Sequence, residues 1–356
     1  MKPTTLLIGC ALALLAGLAL ADEAPKPLRL IGEAASAKDP APHRFVIDAR
    51  LKPGDGEFQS TIEGWFAGLD APASGSIEGS CVEKRCALSV SLDSGKYALT
   101  GDLAGAAGPV AARFSLKDDD DKVLSQGPAT LRPLAGPVAG LGALAEPDAI
   151  DAAEMDDLLL WAHQTVGFGG GTPGDPVGDF QRQALAEWQG SKGRPATGLI
   201  FASDLAELRA EAAQARKAAG WTAIGEPGHG WSAAYPAALL PKTTRSGAER
   251  RFASPDGKAA LVMAIDAPMT DEAFDDFVHR TTEDKDGRNG VNYTRVNSDL
   301  EMRYAEGGVV TVAAYHNRPG GLARLMFTYP EAAGDTWSPW EPILQRALVV
   351  TDDLKR

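Results

Sequence analysis

The chain reads as a multidomain protein. The expected parts are an N-terminal all-β sandwich or barrel, a central three-helix bundle, and a C-terminal α+β region with an antiparallel sheet and two helices. Three observations predict this. Residues 22–135 carry short β-branched or aromatic runs divided by turn clusters, residues 150–220 carry apolar residues at helical spacing, and residues 221–356 mix the two periods. A stretch dense in Gly and Pro, 136–149, opposes both helix and central strand and is expected as a linker. At 356 residues the chain is long enough for two or three cores.

The first element is a targeting segment. Lys2, the apolar run Leu6 to Leu20 and the small-x-small site Ala19-Leu20-Ala21 before Asp22 read as a secretory signal peptide over residues 1–21, with the mature chain starting near Asp22. The run is shorter than the ~20 residues that cross a bilayer, so no membrane span is expected in the mature protein. Leu7-Ile8-Gly9-Cys10 suggests a lipoprotein instead. Cleavage there leaves Ala11 to Ala21 as an apolar mature N-terminus, which makes this the less favoured alternative. The expected location is periplasmic or secreted.

In the β region the runs are Arg44 to Leu51, Ser60 to Ala67, Gly75 to Val82, Ala87 to Leu92, Lys96 to Leu103, Val110 to Leu116 and Val123 to Leu131. Pro53-Gly54-Asp55-Gly56 and Asp93-Ser94-Gly95 are among the turns that separate them. Cys81 and Cys86 are the only cysteines after the signal segment, and in an oxidising compartment a pair this close is expected to bond across a hairpin. Two thiolates with no further Cys or His nearby make an incomplete zinc site, so no metal is expected. The acidic run Asp118 to Asp121 lacks the spaced ligands and glycine of a calcium loop and reads as a solvated hairpin tip.

In the helical region Met155, Leu158, Leu159, Ala162 and Val166 define one buried helix face that stops at Gly167. A glycine loop follows, then a helix over Phe180 to Gln189 and a third from an N-cap at Ser203 to about Ala219. Further on, strands are expected over Glu249 to Ala253, Lys258 to Ile265, Val291 to Val296, Leu300 to Ala305, Val309 to Asn317 and Leu322 to Tyr329. Phe274, Phe277 and Val278 mark a helix among them. Ser338-Pro339-Trp340-Glu341 then has the cap, proline and Glu of a helix start, with Trp340, Ile343, Leu344, Ala347 and Leu348 on its apolar face.

The segment Ala184-Leu185-Ala186-Glu187-Trp188-Gln189, the turn Gly193-Arg194-Pro195-Ala196-Thr197-Gly198, and Leu205 and Leu208 together resemble the small three-helix peptidoglycan-binding domain family. Gly178 stands where that family has a glycine before its second helix, and the resemblance covers about residues 155–215. The first half departs from the pattern. Leu160-Trp161-Ala162-His163 and the extended glycine loop replace the family's helix-one Gln and its Asp-Gly. The opening Trp231-Ser232-Ala233-Ala234-Tyr235-Pro236 and the hairpin near Phe252 to Gly257 are loosely similar to PsbP-like α/β sandwich proteins.

The resemblance implies peptidoglycan as the partner. Trp188 is expected as a core anchor, because the interior of a small bundle must be filled, and Gln189 as a group that satisfies backbone at a helix end. Thr197 and Gly198 belong to the same structural motif. Trp161, Phe168 and Arg194 flank the loop and are the ligand-binding candidates. Residues 150–215 hold ten acidic and four basic side chains, a net of −6, so neutral glycan or peptide stem is the expected target rather than an anionic wall polymer.

Charge also narrows the partners. The formal net charge is −13, and a uniformly acidic chain is poorly suited to nucleic acid, which requires clustered Lys and Arg. His-Glu-x-x-His, Gly-x-Ser-x-Gly and Ser-x-x-Lys are absent, and no Cys follows Cys86. His316 and His229 have no acid beside them in sequence. The expectation is a non-enzymatic envelope protein without a cofactor, its outer domains meeting other envelope proteins. The alternatives are an interaction scaffold that has lost wall binding and a wall-directed enzyme with an unrecognised C-terminal site.

Overall fold

A computed structural model of the chain describes residues 25–36, 43–54, 59–70, 73–92, 95–105, 107–118, 120, 122–163, 171–226, 230–283 and 287–351. The signal-peptide segment 1–21, Cys10, Asp22, Phe168 and His229 lie outside the described residues. The chain divides into two compact units, Met1–Ala135 and Gly136–Arg356.

The first unit is a closed antiparallel barrel of β1 (Lys26–Ala34), β2 (His43–Pro53), β3 (Gln59–Gly68), β4 (Ser74–Val82), β5 (Arg85–Leu92), β6 (Gly95–Gly101), β7 (Val110–Lys117) and β8 (Val123–Pro133). Each strand pairs with the next, and β8 returns to β1 from Leu30↔Pro133 to Ala34↔Ala129. Closure removes the sheet edges that would otherwise present unpaired backbone. Seven of the strands follow the expected runs. β1 is an addition, because Lys-Pro at its start and Gly-Glu near its end interrupt the apolar alternation.

Alternation decides which face is inside. Leu30, Ile47, Ile62, Ile77, Leu88, Leu99 and Leu131 are buried and share the interior core, with Leu103 of the β6–β7 connection in the same cluster. Arg29, Glu33, Arg50, Glu63, Glu78 and Arg113 occupy the other parity, so the outer wall carries charge, although Val46 and Trp65 on that parity are also buried. A lipid-facing barrel shows the reverse, an apolar outer band. Gly64 is fixed by contact, since a Cβ there would lie 2.4 Å from Cα of Ala49. Cys81 and Cys86 are direct cross-strand partners joined as a disulfide. At the β7–β8 turn the Asp118 carboxylate accepts from the Asp120 and Lys122 amides at 3.2 and 2.9 Å, as befits a hairpin tip.

The second unit begins with the stretch expected as a linker, which instead forms backbone pairs. Val138 bridges Gly142, and Ala145 N–H donates to Ile200 O at 2.8 Å. Helices α1 (Ala152–His163), α2 (Asp179–Ser191) and α3 (Ala202–Ala219) follow. Their shared core, with Met155, Leu159, Leu185, Trp188, Leu205 and Leu208, also takes in Ile343 and is flanked by Trp221 and Trp340. The helices are therefore part of the larger unit, not a free-standing bundle. The cap of α3 lies two residues before the expected one. Phe201 is the N-cap residue and Ser203 lies inside the helix, while Gly220 ends it in the left-handed region at φ 61°.

The rest of the unit is sheet. β9 (Trp221–Glu226), β10 (Trp231–Pro236) and β18 (Leu348–Val350) make one sheet in the order β18-β10-β9. β11 (Lys242–Ser246), β12 (Glu249–Ala253), β13 (Ala260–Asp266), β14 (Arg288–Val296), β15 (Asp299–Glu306), β16 (Val309–Arg318) and β17 (Gly321–Pro330) make another in the order β11-β12-β13-β17-β16-β15-β14. Helix α4 (Asp271–Thr282), capped by the Thr270 hydroxyl, lays Phe274 and Val278 against Leu300, Met302 and Tyr315 on one face. Phe327, Leu325 and Val312 share a second core with Leu344 and Leu348.

The expected last helix is corrected. Residues 331–345 form short helical turns that end at Gln345, and Leu348 belongs to a strand. Pro339 and Pro342 each lack the N–H that a continuing helix would donate, so the segment breaks into short turns even though Ser338 and Glu341 before them keep helical backbone. The β-branched Val349, Val350 and Thr351 then favour extended backbone, which pairs with β10.

Candidate functional site

The α2–α3 connection is built around one buried amide. Gln189 Oε1 accepts from the Gly198 and Thr197 amides at 2.9 and 3.0 Å and from the Thr197 hydroxyl at 3.2 Å. Its Nε2 donates to Leu199 O at 3.0 Å and to Asp204 Oδ2 at 2.7 Å. One side chain thus satisfies both the turn and the start of α3. Gly178 precedes α2, and its N–H donates to Gln181 Oε1 at 3.0 Å.

Trp188 is fully buried in the shared core, and its Nε1–H donates to Glu211 at 3.1 Å. Arg194 lies 5.3 Å from the Trp188 ring centroid, donates to Asp204 Oδ1 at 2.6 Å and pairs with Glu207. This ring, guanidinium and carboxylate group braces the turn.

A cleft of about 480 Å³ opens beside α1, lined by Ala153, Asp156, Trp161, Trp221, Glu301 and Arg346 among others. Trp161 is 7% exposed and meets Trp221 edge-on at 4.8 Å and Trp340 at 6.1 Å. Asp156, only 2% exposed, accepts from Gly171 N–H at 2.7 Å through Oδ2. Its Oδ1 is buried with no hydrogen-bond partner among the described residues, and Arg346 stands 3.9 Å from Oδ2. A buried carboxylate oxygen without a donor is costly, and a ligand N–H or ammonium relieves that cost.

Of the sequence candidates, Trp161 lines this cleft, Arg194 is not among its lining residues, and Phe168 lies outside the described residues. Asp156, Trp221 and Arg346 were missed because they come from three separated segments. The Asp-Asp pair at 156–157 and the tryptophan after Gly220 were the available signals.

His316 also gains a partner that sequence did not reveal. Asp299 pairs with it across β15 and β16, with Nδ1 at 3.0 Å from Oδ1, and Arg318 binds the same carboxylate at 2.6 and 3.1 Å. Burial opposes the Asp299 charge, but hydrogen bonds and charge from His316 and Arg318 outweigh it and bring the carboxyl down to about 2. A depressed carboxyl stabilises the fold above its ordinary value of 3.8, and that contribution is lost as pH falls through about 2. Asp299→Asn is therefore expected to lower stability at neutral pH and to flatten the acid limb of a pH–stability curve below pH 3.8. Parallel acid limbs would contradict the assignment.

Among the described residues, no group of three or more His, Cys, Asp or Glu is placed to hold a metal ion. Nor is any described helix long and apolar enough to cross a membrane.

No family model matches the chain, and no curated protein matches it. Among solved structures, it is loosely similar to the solution structure of cyanobacterial PsbP (CyanoP) from Synechocystis sp. PCC 6803. The match has 15% identity and a TM-score of 0.27, covering 37% of this chain and 92% of that one.

Proposed function

We propose that this is a non-enzymatic protein of the bacterial envelope, periplasmic or secreted, that binds peptidoglycan through the 150–220 segment at the cleft beside α1. The observation that carries the reading is Asp156, a buried carboxylate with an unpartnered oxygen, set beside two indoles and a guanidinium. A peptide stem supplies the matching chemistry: N–H or ammonium donors for Asp156, a carboxylate for Arg346, and an apolar surface for Trp161 and Trp221. The Gln189–Thr197–Gly198 turn supports the same reading, since it follows the residue pattern of the peptidoglycan-binding family. The acidic balance of the segment disfavours anionic wall polymers.

Titration of the full chain with a soluble disaccharide-peptide muropeptide is expected to show saturable binding, with the muropeptide recovered unaltered. Arg346→Ala should weaken binding roughly tenfold or more, the worth of a charge-assisted hydrogen bond. Absence of binding by wild type, or equal binding by a folded Arg346→Ala, removes the cleft assignment. Cleaved or cross-linked product would favour a wall-directed enzyme.

A further inference from the structure

The barrel encloses space that the proposed wall binding does not use. A cavity of about 360 Å³ lies at the end where β1 finishes and β2 begins, lined by Ala34, Phe45, Phe66, Tyr97, Phe114 and Leu116 among others. Four of these rings form a continuous collar. Phe45 stacks on Phe66 at 5.2 Å, Phe66 on Tyr97 at 5.6 Å, and Tyr97 meets Phe114 at 6.4 Å. The space exists because the facing positions are small. Ala34, Gly68 and Ala73 line the same cavity, where larger side chains would fill it. Elsewhere in the barrel Ile62, Leu103 and Leu131 are buried to 1% exposure or less, so the interior is filled there and hollow here.

Eight-stranded barrels are wide enough either to be filled by side chains or to hold one small ligand. A 150 Å³ apolar cavity admits benzene, so this volume corresponds to a molecule of roughly fourteen non-hydrogen atoms. The polar groups at the mouth define its charge. The Arg44 guanidinium is held by Asp70 through contacts of 2.6, 3.1 and 3.2 Å, and hydrogen bonds from Arg44 draw the Asp70 carboxyl down to about 2. That pair stays ionised and internally neutralised, so it offers an anion little attraction. Tyr97 makes no hydrogen bond through its hydroxyl among the described residues. Burial pushes its phenol up, which keeps it a donor at neutral pH.

We infer that the barrel is a second binding site, taking a small, uncharged, largely apolar molecule that lies against the aromatic collar and accepts one hydrogen bond from Tyr97. The full chain titrated with the fluorophore 2-naphthol, neutral at pH 7, small enough for this volume and able to accept from Tyr97, should show saturable binding at one molecule per chain. Dodecanol should displace the probe, and dodecanoate should do so about tenfold more weakly, because its carboxylate would be desolvated while Arg44 and His43, the lining cations among the described residues, already have partners. With isotope-labelled Phe and Tyr, the resonances of Phe45, Phe66, Tyr97 and Phe114 should shift while those of Phe274 and Phe327 in the second unit stay fixed. Ala34→Phe should fill the cavity and abolish probe binding in a folded protein. If that variant does not fold, the wild-type resonance shifts decide alone. No saturable binding, dodecanoate displacing as well as dodecanol, shifts confined to the second unit, or undiminished binding by folded Ala34→Phe would each overturn the inference.

Discussion

Trp188→Ala is expected to destabilise the Gly136–Arg356 unit by about 3–5 kcal/mol, the usual cost of truncating a buried aromatic to alanine. Trp188 is fully buried and shares a core with Leu185, Leu205 and Leu208, so removing the indole leaves a cavity between α2 and α3. The change also removes the donor to Glu211 at 3.1 Å and the ring beneath Arg194. A loss of this size is comparable to the whole stability of many domains. Denaturant unfolding of the full chain, followed by the transition of the second unit, measures it. Any loss of ligand binding should track the loss of structure. A Trp188→Ala protein that keeps wild-type stability but no longer binds would make Trp188 a ligand platform.

Gln189→Ala should be nearly as damaging although it removes far less volume. It strands the Thr197 and Gly198 amides, the Leu199 carbonyl and Asp204 Oδ2 in a buried turn. Each stranded group costs about 1–3 kcal/mol unless water reaches it, so a total near 3–5 kcal/mol is expected after partial hydration. Hydrogen exchange should report the same event locally, with protection lost first at Thr197 and Gly198. Gln189→Glu provides a signed comparison. It keeps the acceptor for both amides but places a carboxylate against Asp204, so it should be more stable at mildly acidic than at neutral pH, where protonation restores a donor. Unchanged exchange at these amides in Gln189→Ala would refute the role of the side chain.

Periodicity made the regular elements legible and left the combinations hidden. β5 alternates buried and exposed residues almost without a break, and the helical face of Met155, Leu158 and Leu159 is buried as its spacing implied. β9 and β10 were harder to see, because Trp-Thr-Ala-Ile-Gly-Glu and Trp-Ser-Ala-Ala-Tyr-Pro mix weak strand formers with Gly and Pro. The final helix is expected from its cap and apolar face alone, and Pro342, a few residues past the cap, limits it to short turns. Asp299 and His316 become neighbours only through the β15–β16 register, which no local pattern specifies. The barrel cavity is hidden for a similar reason. Its wall draws on strands from β1 to β8, and it forms only once the sheet closes.

Deleting the helical segment is a poor test of the cleft beside α1, because Trp221, Trp340 and Ile343 pack onto the same core. Ala153→Trp is better suited, since Ala153 lines the cleft from the first turn of α1 and a larger side chain there occupies ligand space. The decisive measurement is co-sedimentation of the full chain with insoluble peptidoglycan sacculi, comparing wild type with an Ala153→Trp protein shown to be folded by its circular dichroism and melting. Wild type is expected to sediment with the sacculi and Ala153→Trp to stay in the supernatant. Equal sedimentation of both proteins, or of neither, would contradict the cleft assignment.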